Sequence, residues 1–387
     1  MKDLIIKEAE ALKATLIETS DFICSNPELG NQEFNAMEKL TTLLKNHGFS
    51  IKTNILNKPT AFRASYVSNK PGPSIAYLCE YDALPGIGHG CGHNMIGTMS
   101  CGAAIALSKV LNLIGGKVVV LGTPAEETDG AKVDMAENGI FKDVDVAMIL
   151  HPDDKNHESG QSLAMDAIQF DFKGRSSHAS ASPEEGINAL DAVLLTFTGI
   201  NALRQHITPD ARIHGIITEG GKAANITPDS AIAQFYVRAS KKKYLKELGE
   251  KVKNIARGAA LMTGATLEIS NYEISYDDMK TNKILSDQYT ENLKYIGVTD
   301  IHPARSSYGS IDIGNVSNVV PSIHPYISIS DAALVGHTTA FRDATYTDKA
   351  HDALVKGASS LALTGYDVIT DKELLLKIKE EFNISTS

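Results

Sequence analysis

Three continuous apolar runs, separated by helical segments, most restrict the folds open to this chain. They are Ser74–Cys79 (SIAYLC), Lys117–Gly122 (KVVVLG) and Val144–Leu150 (VDVAMIL). Runs of this kind are typical of strands in a parallel sheet, which is covered by helices on both faces. A helix rich in small residues is predicted over Met95–Leu113, between the first two runs. Strands that alternate with helices indicate an α/β layer fold.

The middle of the chain follows a different order: strand, helix, strand, strand, helix, strand. These predicted elements are Ala167–Phe172, Glu184–Arg204, Arg212–Thr218, Ser230–Arg238, Lys241–Met262 and Ala265–Tyr272. A βαββαβ order is the ferredoxin-like pattern. At 387 residues the chain is too long for one small core. We therefore predict an inserted domain, residues 164–277, within an α/β catalytic domain formed by residues 1–163 and 278–387.

Apolar residues at helical spacing predict further helices outside the inserted domain. The N-terminal segment carries them at Leu4, Ile5, Leu12, Leu16 and Ile23. Other helices are predicted at about Glu33–Asn46, at Asn282–Ile296 and, as the final element, at Lys349–Thr364.

Composition argues against several classes of partner. The formal net charge is −10, and the chain lacks the long runs of Lys and Arg that nucleic-acid binding requires. No apolar stretch reaches the roughly 18 residues of a membrane span. The N-terminus interleaves acidic and basic residues, unlike a signal peptide. Four cysteines without disulfide-type spacing fit a reducing compartment, so we predict a cytoplasmic protein.

Groups that bind divalent metals lie at or just after the ends of the predicted strands. They are Cys91 and His93 in HGCGH, Glu126 and Glu127 in PAEE, His151 in LHP and His337 in GHTTAF. Thiolate, imidazole and carboxylate are the ligands of Zn²⁺ and its neighbours. Open α/β sheets place ligand sites at the carboxyl ends of their strands. Together these features predict a hydrolase with two metal ions.

Each of these features also has a structural interpretation. A glycine loop can hold a buried cysteine, a glutamate pair can form a solvated turn, and a lone histidine can be structural. Two other functions stay open at this point. Cys91 could be the nucleophile of a thiol hydrolase with a histidine as base, or the fold could serve a non-catalytic binding protein. Sensitivity to a chelator distinguishes the metal site from the thiol nucleophile.

The motifs resemble those of the co-catalytic metallopeptidases that include aminoacylases, glutamate carboxypeptidases, desuccinylases and plant auxin-conjugate hydrolases. The resemblance covers nearly the whole chain. The matching segments are NPELGNQEF (26–34), DALPGIGHGCGH (82–93), PAEE (124–127), LHP (150–152), GRSSHAS (174–180), GGKAANITPDS (220–230) and GHTTAF (336–341). The segment YGSIDIGNVSNVVPSIHPY (308–326) is most similar to the branch that holds p-aminobenzoyl-glutamate hydrolase and β-alanyl-dipeptide hydrolases.

The resemblance implies two divalent ions per subunit, Zn²⁺ or Mn²⁺. Their ligands would be Cys91 as the bridge, His93 and His151 at one ion, and Glu127 and His337 at the other. Many relatives read Cys-Gly-His-Asp with a second His two residues on, but here Asn94 and Ile96 occupy those positions. Glu80 stands where other branches carry a metal-binding His, and His89 is a spare ligand candidate. The sequence leaves the roles of both open.

The resemblance also implies the reaction, hydrolysis of an amide bond in an N-acyl amino acid, an aminobenzoyl-glutamate-like conjugate or a dipeptide. Glu126 would be the general base for a metal-activated water, and Asp82 would orient a ligand. His178 of the inserted domain would reach a cleft across a dimer and polarise the scissile carbonyl. Asn225 and Arg238 would hold the substrate's carboxylate. The inserted domain would act as a lid and as the interface of a homodimer.

Overall fold

The fold is α/β, as predicted, in a computed structural model that describes residues 1–305 and 309–386. The strands are β1 (Ser50–Ile55), β2 (Lys58–Val67), β3 (Ser74–Cys79), β4 (Lys117–Gly122), β5 (Val146–Met148), β6 (His151–Asp153), β7 (Asn156–His157), β8 (Ala164–Lys173), β9 (Arg212–Glu219), β10 (Ser230–Ala239), β11 (Thr266–Asn271), β12 (Ile301–His302), β13 (Ser322–Ile323) and β14 (Tyr326–Ser328). The helices are α1 (Lys2–Ala11), α2 (Lys13–Ser25), α3 (Phe34–Asn46), α4 (His93–Ile114), α5 (Ala131–Glu137), α6 (Ala189–Leu203), α7 (Lys242–Thr263), α8 (Lys283–Tyr295), α9 (Ile313–Ser317), α10 (Thr339–Ala344), α11 (Asp348–Thr370) and α12 (Lys372–Thr386).

The chain divides into two compact units. Unit 1 contains Met1–Gln161 and the later segments that begin at Met279 and Asp312. Unit 2 contains Ser162–Asp278 together with residues 309–311. The inserted domain predicted as residues 164–277 lies inside unit 2. The return of residues 309–311 to unit 2 was not predicted, because nothing in so short a stretch separates it from its sequence neighbours.

The central sheet of unit 1 is mixed, with strand order β1-β2-β4-β3-β5-β13. β3 runs parallel to β4 and β5, and β13 runs parallel to β5, whereas β1 and β2 are antiparallel additions at one edge. The mainly parallel centre confirms the prediction from the apolar runs, since β3 and β4 are buried along nearly their whole lengths. The β1–β2 hairpin was missed because its polar first strand carries no apolar run.

Helix α4 is the central helix of unit 1, and nearly all of its residues are buried. It packs against β3, β4 and α11. The expectation that no apolar stretch reaches the length of a membrane span needs correction, because α4, alone among the helices in the described parts of the chain, is long and apolar enough by length and composition. Since 83% of its most apolar 18-residue stretch is buried inside the protein, α4 is a core helix of unit 1.

Three helix predictions need correction. The predicted N-terminal helix breaks at Leu12 into α1 and α2. Helix α6 begins later than the predicted Glu184, because the Asn188 side chain accepts hydrogen bonds from the first backbone N–H groups of that helix. Helix α11 continues past the predicted end at Thr364. It is not the final element, since Asp371 accepts hydrogen bonds from two backbone N–H groups of the following α12.

A second sheet of unit 1, with order β12-β7-β14-β6, carries His151. The apolar run 144–150 forms β5 only at its centre, and the chain then enters this second sheet at His151. β6 pairs in parallel with β14, where Tyr326 stands opposite His151. Of the branch-specific segment 308–326, Tyr308 lies outside the described residues. The part of that segment within unit 1 supplies α9, β13 and the start of β14.

Unit 2 has the predicted order β8-α6-β9-β10-α7-β11. Its antiparallel sheet has the order β11-β8-β10-β9, and α6 and α7 pack against it. Ile168, Phe170 and Phe172 alternate along β8 and are buried, as a strand with one covered face requires. The ferredoxin-like interpretation of this segment is therefore confirmed, and β9 and β11 are the edge strands.

Candidate active site

The carboxyl ends of two neighbouring parallel strands bring the predicted residues of unit 1 together. Cys79, the last residue of β3, pairs with Gly122, the last residue of β4. The loop EYDALP follows β3 and the loop TPAEE follows β4, so both emerge side by side. The position is the one that open α/β sheets use for ligands.

A glycine turn places Cys91 and His93 at the amino end of α4. Gly92 caps this helix with φ 73°, a left-handed conformation that glycine adopts without strain. A side chain at Gly92 would also overlap the ring of Pro152 and crowd the Phe341 ring. The residue between the two candidate ligands therefore has to be glycine, for both conformation and space.

Cys91, His93 and Glu127 form a group suited to a metal ion. Each offers one ligand atom, and the three atoms lie within 4.8 Å of one another. His337 lies beside this group, with its Nε2 3.5 Å from Glu127 Oε1. Its backbone N–H donates to the Gly90 carbonyl at 3.0 Å, which holds it next to the glycine turn. The structure thus brings together four of the five ligands that the resemblance implies.

Asp82 fixes the orientation of His93. The His93 Nδ1 atom lies 3.0 Å from both the carboxylate and the carbonyl oxygen of Asp82, which only accept hydrogen bonds. Nδ1 therefore carries a proton, and Nε2 is left for the centre of the site. The other Asp82 oxygen accepts a hydrogen bond from the Glu127 backbone N–H at 3.0 Å. Burial opposes the charge on Asp82, but His93 and this N–H outweigh it and lower the pKa of Asp82.

Three carboxylates surround His93 Nε2. Their oxygens lie 3.6 Å away in Glu80 and 4.0 Å away in both Glu126 and Glu127. Burial and the Glu80 carboxylate raise the pKa of Glu126 well above its usual value. Burial and Glu127 likewise raise the pKa of the Cys91 thiol. Such a concentration of acidic groups is stabilised by a cation, and thiolate, imidazole and carboxylate are the donors that divalent transition metals prefer.

His151, the fifth predicted ligand, lies near this group, but its ring nitrogens are not within 4.8 Å of all three ligand atoms. Its ring centre is 6.1 Å from that of His93 and 5.5 Å from that of His324. Its Nδ1 donates to the Pro152 carbonyl at 2.6 Å, which leaves Nε2 with a lone pair. Burial lowers the pKa of His151 to about 3 and that of His324 to about 4. Both rings are therefore neutral near pH 7, the form in which imidazole binds metals.

The two ligand candidates that the sequence leaves open, Glu80 and His89, are both buried. Among the residues that the structure describes, neither belongs to the group of three ligand atoms. Burial lowers the pKa of His89 to about 3, so its ring is neutral. Glu80 instead takes part in an ion cluster behind the site.

That cluster centres on Lys132, which the sequence analysis missed together with Asp312. The fully buried Lys132 ammonium lies 2.6 Å from a Glu80 oxygen and 2.7 Å from an Asp312 oxygen. Burial opposes the charge on Glu80, but Lys132 and His93 outweigh it and lower the pKa of Glu80. One Glu80 oxygen is therefore committed to Lys132 and the other faces His93. The available signal was a lysine on the otherwise apolar face of α5, one turn before Met135 and Ala136.

Within unit 2, the structure brings His178 and Asn225 together. The two segments pair, because the Ala179 backbone N–H donates to the Asn225 carbonyl at 3.0 Å. The Nδ1 atom of His178 accepts hydrogen bonds from the backbone N–H groups of Ser180 and Ala181, at 3.3 and 3.2 Å. The proton of a neutral His178 ring therefore sits on Nε2, where it can be donated.

Arg238 lies at the other end of the unit 2 sheet. It pairs with Met165 near the start of β8, whereas His178 follows the end of that strand. At about 3.3 Å per residue, the strand separates these ends by roughly 25 Å. The Arg238 guanidinium donates to the Ser310 hydroxyl at 3.0 Å. Within unit 2, Arg238 is therefore too far from Asn225 for both to hold one small carboxylate.

Comparisons with known proteins agree with this site and fold. Residues 165–262 match the peptidase dimerisation domain family. The chain is 39% identical to the Xaa-Arg dipeptidase of Mus musculus over 93% of its own length and 87% of that protein. It is 36% identical to a p-aminobenzoyl-glutamate hydrolase component of Escherichia coli (strain K12), over 75% of its own length and 64% of that protein.

A solved structure agrees with the fold. A dinuclear metal binding peptidase from the M20 family of Bacillus subtilis matches with a TM-score of 0.72 at 20% identity, over 93% of this chain and 100% of that one. The identity of 39% to a curated relative over nearly the full length shows the family. The family implied by the motifs is thereby confirmed: the chain belongs to the M20 peptidases and is a metal-dependent amidohydrolase.

Proposed function

We propose that this chain is a dipeptidase, and that dipeptides with a C-terminal arginine are its best substrates. The observation that carries the proposal is the near full-length likeness to a protein named Xaa-Arg dipeptidase. The grouping of Cys91, His93 and Glu127 beside Glu126 supports hydrolysis as the reaction. The motifs also imply two alternative substrates, N-acyl amino acids and aminobenzoyl-glutamate-like conjugates. Each of them would likewise be cleaved at an amide bond.

Two divalent ions per subunit, Zn²⁺ or Mn²⁺, are part of the proposal. The residues proposed to hold them are Cys91, His93, Glu127, His151 and His337. The carboxylates grouped around His93 Nε2 support this assignment, since they repel one another unless a cation lies between them. Bound ions would act as Lewis acids and would lower the pKa of a bound water to about 7.

Side chains of the protein itself are proposed to transfer the proton of the attacking water. Glu126 is placed to take a proton from the attacking water and to pass it to the leaving amine. Its carboxylate lies 4.0 Å from His93 Nε2, beside the residues proposed to hold the ions. Asp82 keeps the His93 ring in one tautomer throughout. The roles implied for His178, Asn225 and Arg238 at the substrate stay predictions, and Asn225 and Arg238 would have to come from different subunits of a dimer to hold one carboxylate.

A thiol nucleophile is not favoured at Cys91. Nucleophilic cysteines have a lowered pKa, because the thiolate is the reactive form. Burial and the nearby carboxylates raise the pKa of Cys91 instead. The resemblance to hydrolases and the retained Glu126 also speak against a purely binding protein on this fold.

Chelation is expected to abolish the activity, and added Mn²⁺ or Zn²⁺ to restore it. The test is a substrate panel of Xaa-Arg dipeptides, N-acyl amino acids and p-aminobenzoyl-glutamate, assayed after EDTA treatment and after reconstitution with each ion. Activity that survives EDTA and is lost on alkylation with iodoacetamide would support the thiol mechanism instead. A reconstituted protein that cleaves nothing in the panel would contradict the dipeptidase proposal.

A second substrate class has its own support. The chain is 36% identical to a component of a p-aminobenzoyl-glutamate hydrolase. That conjugate has a glutamate as its amine-side product, whereas Xaa-Arg dipeptides release arginine. The ratio of kcat/KM for the two classes in the panel decides between them.

We also propose that the chain forms a homodimer through unit 2. The match of residues 165–262 to a peptidase dimerisation domain supports this. The edge strand β9 supports it further, since Ile216 is 62% exposed there and an unpaired edge can pair with another chain. Light scattering should give twice the monomer mass, and Ile216→Lys should shift it towards the monomer. A monomeric wild-type protein at micromolar concentration would contradict the proposal.

The cytoplasmic location stays a prediction. All four cysteines are free, which is consistent with a reducing compartment. Fractionation of the producing cells with an antibody to the chain would test it, and recovery outside the cytoplasmic fraction would contradict it.

A further inference from the structure

The segment NPELGNQEF (26–34) has no part in the proposed mechanism, yet it contacts both loops that carry catalytic residues. After β3, the Ala83 backbone N–H donates to the Glu28 carbonyl at 2.8 Å. After β4, Gly30 lies so close to Ala125 that an added Cβ would be 2.9 Å from the Ala125 methyl group. The segment therefore connects the two loops within unit 1.

Ala125 is the residue whose backbone directs Glu126 and Glu127. Its φ is 60°, in the left-handed region that residues with a Cβ avoid. Its carbonyl accepts hydrogen bonds from the backbone N–H groups of Thr128 and Gly130, at 3.2 and 2.8 Å, which closes the turn. Because the conformation is unfavourable for alanine, contacts outside the turn have to hold it.

Glu33 supplies such a contact from the segment 26–34. It is fully buried, and one carboxylate oxygen accepts a hydrogen bond from the Ala125 backbone N–H at 2.8 Å. The other oxygen accepts from the Thr60 hydroxyl at 2.8 Å. A buried N–H group needs a partner. Burial raises the pKa of Glu33 to about 7, and the Glu33 oxygen at Ala125 can accept this hydrogen bond in either protonation state. The Tyr81 hydroxyl, in the loop after β3, donates in turn to the Thr60 carbonyl at 2.6 Å.

We propose that Glu33 is a positioning residue for amide hydrolysis. It holds Ala125 in the left-handed conformation and thereby fixes the Glu126 and Glu127 carboxylates 4.0 Å from His93 Nε2. Rotation about φ of Ala125 would move both carboxylates relative to this nitrogen. The inference rests on the roles proposed for Glu126 and Glu127, and Glu33 itself touches no reacting atom.

The test is a rescue experiment. Glu33→Ala is expected to lower kcat by about 10- to 100-fold, since misplacing catalytic groups by about 1 Å has effects of that size. It should also weaken Mn²⁺ binding, because Glu127 moves with Glu126. Adding Ala125→Gly should restore most of both losses, since glycine adopts a positive φ without the Cβ clash. Steady-state kinetics and calorimetric titration of the metal-free protein with Mn²⁺ give the two readouts.

Glu28→Ala is the matched control. Glu28 belongs to the same segment, but its carboxylate accepts hydrogen bonds from the backbone N–H groups of Asn35 and Ala36, each at 3.0 Å. It therefore caps α3 rather than holding the turn, and Ala125→Gly should restore nothing in this variant. If Glu33→Ala does not fold, Glu33→Asp serves, since its side chain is one methylene shorter and should not reach the Ala125 N–H.

Two outcomes would overturn the inference. The first is a Glu33→Ala or Glu33→Asp variant with wild-type kcat and Mn²⁺ affinity. The second is a double variant with Ala125→Gly that is as impaired as the single one. A wild-type protein that binds Mn²⁺ but cleaves no substrate would contradict the proposed function instead, and the titration would still decide the role of Glu33.

Discussion

Replacing Glu126 by glutamine is expected to lower kcat by about 10²- to 10⁴-fold, the usual contribution of a general base. Glutamine keeps the shape of the side chain but cannot take up the proton of the attacking water. Glu126 is not among the proposed metal ligands, so the variant should keep two ions per subunit. The measurements are kcat on the best substrate of the panel and metal content by elemental analysis.

Glu127→Gln is the matched control, since Glu127 is the next residue of the same loop. Glu127 belongs to the three-atom metal group and lies 3.5 Å from His337, so this variant should lose metal. Its activity should return in part at high Mn²⁺ concentration, whereas that of Glu126→Gln should not. If both variants change only metal content, the division of roles between the two glutamates is wrong.

The stability of the metal-free protein gives an independent check on the same pair. Either substitution removes one acidic group from the ring around His93 Nε2, where the carboxylates repel one another. The same carboxylates are attracted to His93. Burial opposes the charge on this ring, but Asp82, Glu80 and Glu127 outweigh burial and raise the pKa of the ring. The two opposing changes should leave the stability of either metal-free variant close to that of the metal-free wild-type protein. A large loss of stability in Glu126→Gln would mean that its low activity reflects unfolding rather than the missing base.

Much of the fold could be predicted because its signals are local. The run KVVVLG is both a strand and buried, and β4 has the predicted bounds. The alternation of Ile168, Phe170 and Phe172 likewise identified a strand with one covered face. The β1–β2 hairpin and the break at Leu12 were missed, because polar strands and helix junctions depend on packing partners elsewhere in the chain.

The residues of the site likewise divide into those that a local sequence signal predicted and those that it did not. Cys91 and His93 stand at a glycine turn before α4, and Glu127 stands in the loop after β4, so their types and positions were sufficient to predict a metal site. Asp312 and Glu33 have roles that depend on partners 180 and 92 residues away in sequence, Lys132 and Ala125. A single sequence does not show which residues pair over such distances. Lys132 is recognisable on an otherwise apolar helix face, but Asp312 and Glu33 each resemble an ordinary polar side chain.

Lys132→Met is expected to destabilise the fold by about 3–5 kcal/mol, the usual effect of removing one partner from a buried ion cluster. The fully buried ammonium is paired with Glu80 and Asp312, which are also buried, and methionine would remove the paired cation of Asp312 and leave Glu80 with His93 alone. Urea unfolding of the metal-free protein at pH 8 measures the difference. Lys294→Met is the control, because Lys294 is half exposed and pairs with the exposed Glu291. Such surface pairs contribute about 0–1 kcal/mol.

The pH dependence of the Lys132→Met loss tests its electrostatic origin. Burial already raises the pKa of Asp312 to about 6 in the presence of Lys132, which itself lowers it. Without Lys132 the folded-state pKa rises further above the unfolded value of about 3.9. Between the unfolded pKa of Asp312 and its raised folded pKa, the folded variant binds more protons than the unfolded chain. The free energy of unfolding of the variant therefore falls as pH rises from the first pKa to the second. The destabilisation should therefore be larger at pH 8 than at pH 5, and adding Asp312→Asn should reduce it. A loss that is independent of pH and unchanged by Asp312→Asn would mean that Lys132 acts through packing alone.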